Sequence, residues 1–293
     1  MPKILIIEPS ASGHRPACSR RILKGAMARG HQTTFASVPA LINNPLLALQ
    51  ADSKSLSFEP IDDLTEEQPA SSGAFATATR EFAYRRLLRD TFARLAEKVR
   101  PDVTFIPSLD FCVNAIGLAG APFQGAPWAG LVMNQSFHCD AMNLLGPPSS
   151  VSLKIRQRTF LSLLSKCGNT GEVMTFDETL KNFVDEHHPR YDERIRFIPD
   201  PAELKGTTSR DKARAQFGLP PDGYAVLLYG SLRPEKGVEQ LLDAFASPEM
   251  AANTHLLLIG RQQASIKRLM RTCLLYTSPS PRDATLSRMP SSA

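Results

Sequence analysis

The sequence predicts an α/β protein built on parallel sheets, and two observations carry the prediction. Lys3–Glu8 and residues 33–38 are short apolar segments on either side of a helical pattern at residues 17–29. This β-α-β order implies parallel strands. Residues 225–229 form an unbroken apolar run, which indicates a buried parallel strand, and a glycine and a new helical pattern follow it.

Length and composition limit the class of protein. The 293 residues are enough for two domains, and 42% hydrophobic with 22% charged residues is typical of a soluble globular chain. No apolar run is long enough to span a bilayer, and the first strand is too short for a signal-peptide core, so we expect a cytoplasmic protein. The net charge of +5 is mild and does not indicate a nucleic-acid partner. The five cysteines are too scattered for a metal-ligand pair, and we expect neither a metal site nor disulfides.

The first half of the chain continues the alternation. The first helix should end at Gly30 in the left-handed conformation. A short helix is expected at residues 41–49, and the polar segment 51–73 predicts a long loop around one strand. Residues 79–100 form an amphipathic helix whose expected buried stripe is Phe82, Leu88, Phe92, Leu95 and Val99. Its arginine-rich face predicts a solvent-exposed surface, with docking on an anionic membrane as the alternative.

The remaining elements follow in the same order. Strands are predicted at residues 103–106, 127–133, 172–176, 195–198, 225–229 and 255–259. Helices are predicted at residues 111–118, 153–164, 177–184, 209–217 and 238–245, with a last helix interrupted at Thr272.

The segment from Tyr229 to Gly237 reads YGSLRPEKG and predicts a phosphate site. Gly230 ends the strand, and Pro234 suits the first turn of a helix because its missing N–H would have no partner there. Free backbone N–H groups and the positive end of the helix then point at one place, where Lys236 adds a full charge. The alternative is an ordinary strand-loop-helix unit with a surface lysine.

The Lys236-Gly237 pair and the VEQLLDAF helix that follows resemble the C-terminal domain of GT-B glycosyltransferases of family 4, the glycosyl transferases group 1 type. The resemblance implies two Rossmann-like parallel-sheet domains facing a cleft, the second of them incomplete. Residues 1–195 would form the acceptor-side domain, and residues 196–272 part of the nucleotide-sugar-binding domain. Lys236 would contact the donor diphosphate together with Gly230, Ser231, Arg233 and Gly237. Ser231 stands where the family often has arginine, and Arg233 is the candidate replacement.

The first domain offers candidate residues at the carboxyl ends of its strands. The resemblance implies that Gly13 and His14 face the cleft, the alternative for His14 being an exposed loop residue. Asp110 is expected to contact the acceptor or to cap the next helix. His138, or Asn134 in its place, is the candidate to lie near the reacting sugar, the alternative being a structural loop with a satisfied histidine.

The implied activity is transfer of a glycosyl group from a nucleoside-diphosphate sugar to an unknown acceptor, a glycan, lipid or small molecule. Lys236 and the helix end would stabilise the leaving diphosphate without a cofactor or metal, and no DxD metal motif occurs. The resemblance also implies retention of configuration. The alternatives are a GT-B sugar-nucleotide epimerase and a non-catalytic binding subunit, the latter suggested by Ser231.

Residues 273–293, CLLYTSPSPRDATLSRMPSSA, resemble a translated sequencing-library adapter. We expect this tail to be non-native and disordered, and the gene to be cut off inside the second domain. The acidic pair E-x7-E that family 4 carries later in this domain would then be missing, and the fragment inactive. Sequencing of the source DNA past the codon for Thr272 tests this expectation.

Overall fold

The chain forms two compact units, residues 1–201 and 202–293. The computed structural model describes residues 1–13, 15–47, 54–62, 74–144, 146, 150–168, 170–200, 208–247, 249–250 and 253–276. The division falls later than the expected boundary after residue 195, because the strand Ile195–Phe197 pairs with its neighbour in the first unit's sheet. Each unit is an α/β structure, as the sequence predicts.

The first unit alternates strands and helices. Its strands are β1 (Lys3–Glu8), β2 (Gln32–Ser37), β3 (Leu56–Pro60), β4 (Val103–Ile106), β5 (Trp128–Val132), β6 (Gly171–Thr175) and β7 (Ile195–Phe197). Its α-helices are α1 (Arg15–Ala28), α2 (Pro39–Ile42), α3 (Ala74–Val99), α4 (Val113–Ala119), α5 (Val151–Lys166) and α6 (Glu178–His187). Short 3-10 turns lie at Pro45–Leu47, Leu109–Phe111 and Pro189–Arg194.

All seven strands of this unit pair in parallel, in the order β3-β2-β1-β4-β5-β6-β7. The order reverses between β1 and β4, and a crevice opens at the carboxyl ends of the strands at such a switch point. The sheet is covered by apolar side chains with no exposed surface, including Leu5, Ile6, Ile7 and Phe35. Such continuous burial is typical of parallel strands with helices on both faces.

Helix α3 buries a different stripe from the one expected. Leu88, Phe92 and Leu95 are buried, but Phe82 is 42% exposed and Tyr84 takes the inner position. Tyr84 lies four residues before Leu88, so it continues the buried face by one helical turn. The arginine face is also not merely solvated, since Arg85 donates to the Gly120 carbonyl at 2.8 Å and Arg94 to the Pro60 carbonyl at 3.0 Å.

Charged side chains of neighbouring helices hold both ends of the short helix α4. Glu81 of α3 accepts hydrogen bonds from the backbone N–H groups of Asn114 (2.8 Å) and Ala115 (3.2 Å) at its first turn. At its last turn, Arg85 and Lys166 donate to carbonyl oxygens. Both arrangements match the helix dipole, which favours anions at the N-terminus and cations at the C-terminus. They fix α4 beside the carboxyl ends of β4 and β5.

The described part of the second unit contains α7 (Arg210–Gln216), β8 (Tyr224–Tyr229), α8 (Val238–Ala246), β9 (Thr254–Ile259) and α9 (Ala264–Tyr276). Strands β8 and β9 pair in parallel as a two-stranded sheet. Strand β8 was expected to be buried, and this is wrong: Tyr224 is 69% exposed, Leu227 52% and Tyr229 70%. The physical reason is that, within the described residues, β8 pairs with β9 alone, and the small core contains only Leu232, Val238, Leu258 and Ile266 as fully buried members.

Helix α9 continues to Tyr276 rather than stopping at Thr272. No glycine or proline occurs between residues 264 and 278, so nothing in the local sequence breaks the helix there. Residues 277–293 lie outside the described residues, and the adapter origin of the tail stays a prediction. None of the helices in the described part of the chain is both long and apolar enough to cross a membrane.

Candidate functional site

A glycine-bounded turn follows the carboxyl end of β8. Gly230 has φ +96° and Gly237 has φ +69°, both in the region that L side chains rarely adopt. Between them, Pro234–Lys236 forms a 3-10 turn, and α8 begins only at Val238. Pro234 was expected in the first turn of the helix itself. It opens the 3-10 turn instead, because the left-handed Gly237 separates the two helical segments.

Lys236 folds back over this turn. Its Nζ donates to the carbonyl of Tyr229, the last residue of β8, at 3.3 Å, and lies 3.2 Å from the place where a Gly230 side chain would begin. Ser231 and Arg233 are exposed on the same turn. No side chain caps the first N–H groups of α8. The turn therefore brings together an ammonium group and uncapped backbone donors, as the sequence predicts.

Gly260, at the carboxyl end of β9, shapes this turn and was not among the predicted site residues. Its φ is +138°, and a β-carbon on it would lie 1.9 Å from the Gly230 carbonyl oxygen. The next residue, Arg261, accepts a hydrogen bond from the Leu232 N–H at 2.8 Å through its carbonyl, and its side chain is exposed. Sequence reasoning noticed the glycine but could not see that the backbone of a neighbouring strand touches it.

Asp110 lies where the first unit's chain leaves β4, and it joins two strand ends. Its carboxylate accepts hydrogen bonds from the backbone N–H groups of Met133 (2.8 Å) and Asn134 (2.9 Å) and from Gln135 Nε2 (2.9 Å). The alternative expectation, that Asp110 caps the next helix, is wrong, because Glu81 fills that role for α4. Asp110 instead holds the segment after β5 against the end of β4.

Asp110 and Asn134 line a cavity of about 310 Å³ at these carboxyl ends. Asn134 is exposed, and residues of α3, α4 and α5 form the rest of the wall. The volume is within the range of small-molecule sites, and the lining is polar. Of the predicted site residues in the first unit, Asp110 and Asn134 are the two that the structure brings together.

His138 is placed differently. It is only 1% exposed, and its ring packs beside Phe137 and Phe183. Its Nε2 lies 3.1 Å from an oxygen of Asp177, the residue that caps α6. Burial lowers the pKa of His138 below its ordinary value, against the opposing pull of the Asp177 carboxylate. This position favours the structural interpretation of His138 and leaves Asn134 as the accessible candidate on the segment after β5.

Three solved structures resemble the whole chain. They are sucrose-phosphate synthase from Thermosynechococcus elongatus (16% identity, 94% of this chain and 69% of that chain covered, TM-score 0.62), Anabaena Alr3699/HepE in complex with UDP-glucose (13%, 96% and 67%, 0.56) and Arabidopsis thaliana UGT89C1 complexed with UDP (14%, 90% and 67%, 0.54). The chain thus spans about two thirds of the length of each.

The protein has the GT-B glycosyltransferase fold. Residues 209–277 also match the family model for glycosyl transferases group 1. That range contains the whole turn around Lys236. No curated protein sequence matches the chain.

In this GT-B chain, a buried polar cluster lies at the switch point, and the sequence did not reveal it. Glu8, the last residue of β1, has no exposed surface and accepts a hydrogen bond from the Ser108 hydroxyl. Arg15 Nε lies 3.5 Å from the Glu8 carboxylate and donates to Ser108 at 3.3 Å, and its guanidinium stacks on the Phe111 ring. Burial raises the pKa of Glu8 to about 7, although Ser108 and Arg15 act in the opposite direction.

The loop between β1 and α1 contains the other predicted pair. Gly13 has φ +68° and is exposed, with nothing within 4 Å of the place its side chain would occupy. Glycine is thus favoured there by backbone conformation alone. His14 lies outside the described residues, and its role stays a prediction. Cys18, Cys112, Cys139 and Cys167 are free thiols.

Proposed function

We propose that this chain transfers a glycosyl group from a nucleoside-diphosphate sugar to an acceptor, and that the turn around Lys236 binds the donor diphosphate. The observation that carries the proposal is the position of Lys236 Nζ, 3.3 Å from the last carbonyl of β8 and directly over Gly230. The family model for glycosyl transferases group 1 covers this same segment. UGT89C1 with UDP and HepE with UDP-glucose, which share the fold, support a nucleotide sugar as the donor.

Charge is the physical reason for the arrangement. As the glycosidic bond breaks, negative charge develops on the leaving diphosphate, and an ammonium group together with backbone N–H donors stabilises it. Lys236 supplies the charge, and the uncapped start of α8 supplies oriented donors. Gly230 and Gly237 have no side chains, so the backbone can approach the phosphates closely.

The acceptor side of the proposal uses the first unit. Asn134 is exposed in the polar cavity at the ends of β4 and β5, and we assign it to the reacting sugar in preference to the buried His138. We propose retention of configuration, as the group 1 resemblance implies. No E-x7-E pair follows Lys236 before Thr272, so we propose that residues 1–272 bind donor without turning it over.

Calorimetric titration with a nucleoside diphosphate tests the donor site without requiring turnover. UDP, GDP and ADP are each titrated into the intact chain and into Lys236→Met, with Lys212→Met as the control, an exposed lysine on α7. A charge-assisted hydrogen bond contributes about 1.5–3 kcal/mol, so Lys236→Met should weaken binding of the accepted nucleotide about 10- to 100-fold. Lys212→Met should bind like the parent. Equal affinity in the two variants would refute the role of Lys236.

A further inference from the structure

The cavity at the carboxyl ends of β4 and β5 has two kinds of charged wall. Glu81 and Asp110 bring carboxylates to it, while Arg80 of α3 and Arg156 of α5 bring guanidinium groups. These side chains come from parts of the chain that are far apart in sequence. The chemistry of the cavity depends on which of the charges remain available to a ligand.

The carboxylates are already engaged. Glu81 accepts from the Asn114 N–H at 2.8 Å, from the Asn114 side-chain amide and from the Ala115 N–H at 3.2 Å. Asp110 accepts three hydrogen bonds in the same way, from two backbone N–H groups and a glutamine amide. A carboxylate has about four acceptor positions, so each has at most one left for a ligand. Both act as fasteners of the wall.

The guanidinium groups differ. Arg156 is exposed, and among the described residues no carboxylate oxygen lies within 4.0 Å of it. Arg80 is half-buried on the opposite wall, where its charge is less screened by water. Each guanidinium carries five N–H donors in a planar fork, a geometry that matches two oxygens of a phosphate group.

We propose that this cavity is the acceptor subsite and that it binds a phosphate group of the acceptor through Arg156 and Arg80. The inference rests on the proposed glycosyl transfer, whose acceptor it assigns to a chemical class. A cavity of about 310 Å³ is at the lower end of the range for small-molecule sites, which suits one phosphorylated sugar unit. The phosphate can belong to a soluble sugar phosphate or to a lipid headgroup, because both present the same group to the two arginines.

The first experiment titrates the intact chain with glucose 6-phosphate, with glucose and with inorganic phosphate as comparison ligands. The variants are Arg156→Gln, Arg156→Lys and the control Arg158→Gln, an exposed arginine on the same helix that does not line the cavity. We expect Arg156→Gln to weaken binding of glucose 6-phosphate about 10-fold or more, and Arg156→Lys to weaken it less because it keeps the charge but loses the fork. Arg158→Gln should bind like the parent.

The second experiment asks for the source of the phosphate. Vesicles of phosphatidylcholine with and without phosphatidic acid are sedimented with the same variants. Binding that depends on phosphatidic acid and is lost in Arg156→Gln, without binding of glucose 6-phosphate, assigns a lipid. The reverse result assigns a soluble sugar phosphate. Absence of both, or equal loss in Arg156→Gln and Arg158→Gln, overturns the subsite.

The two proposals fail separately in these measurements. UDP is titrated into each arginine variant, and it should bind with unchanged affinity, since Lys236 lies in the other unit. Loss of UDP binding in Arg156→Gln would contradict an independent acceptor subsite. Phosphate binding that depends on Arg156 in a chain that binds no nucleotide would preserve the subsite and remove the proposed donor function.

Discussion

At the scale of single residues, long-range partners decide what each charged side chain does. Glu81 and Asp110 look alike in sequence, as acidic residues near helical patterns. One caps α4 from a helix 33 residues earlier, and the other fastens two strand ends 23 residues apart. The pairing of Glu8 with Ser108 spans 100 residues. No local pattern encodes such contacts, so sequence reasoning missed Glu81 and Glu8 and assigned Asp110 only in part.

Glu8 predicts a measurable pH dependence of stability. Its pKa is about 7 in the folded chain, against a model value of 4.5 for an unburied glutamate. The folded state therefore holds the proton more tightly, and the stabilisation, complete below about pH 4.5, is lost as the pH rises towards and through 7. The difference corresponds to about 3 kcal/mol. Glu8→Gln cannot ionise, so it should lose about 3 kcal/mol less than the parent between pH 5 and pH 8.

Urea unfolding at both pH values, followed by Trp128 fluorescence, provides the measurement. Trp128 is the one tryptophan of the chain and is buried in β5, so it reports on the first unit. Glu97→Gln, an exposed position on α3, is the control and should follow the parent. Identical pH profiles for the parent and Glu8→Gln would contradict the assignment.

At the scale of elements, the sequence predicted what periodicity controls. The strands and helices lie within a few residues of their expected positions, because apolar period and glycine placement determine them locally. Two predictions about burial were wrong. Phe82 gave way to Tyr84 on α3, because the buried face follows the neighbours that α3 contacts. Strand β8 is exposed, since an apolar run shows that a strand can be buried but does not supply the covering element.

The contact between the ends of β8 and β9 gives a prediction at this scale. Gly260→Ala would place a β-carbon 1.9 Å from the Gly230 carbonyl oxygen, so the turn that holds Lys236 must move. We expect UDP affinity to fall at least about 10-fold, since displacement of a charge-assisted contact costs about 1.5–3 kcal/mol. Gly218→Ala is the matched control, because Gly218 also has a positive φ of 64° but nothing within 4 Å. If both variants bind UDP equally, the close contact does not position the turn.

At the scale of the molecule, the two units differ in how much core they have. The first has a seven-stranded sheet with a large continuous core, whereas the described part of the second has two strands and a small core. Two-stranded sheets are marginally stable without further packing. The GT-B organisation could be predicted because the motif around Lys236 is local, but the difference in packing between the units could not.

Limited proteolysis tests this difference. Trypsin should cleave the second unit first and leave a resistant fragment ending near residue 200 that contains Trp128, because local opening exposes cleavage sites in the less stable unit. UDP should slow cleavage of the second unit, since a ligand that binds the folded form stabilises it. Lys236→Met should not show this protection. Mass spectrometry of the fragments identifies the order, and simultaneous loss of both units would contradict the prediction.

The central claim is that Lys236 and the turn around Gly230 hold the donor diphosphate. A crystal structure of the chain with UDP tests it most directly. The account predicts a diphosphate oxygen about 3 Å from Lys236 Nζ, with the backbone N–H groups at the start of α8 directed at the same group. A diphosphate bound elsewhere, with Lys236 Nζ still on the Tyr229 carbonyl, would contradict it.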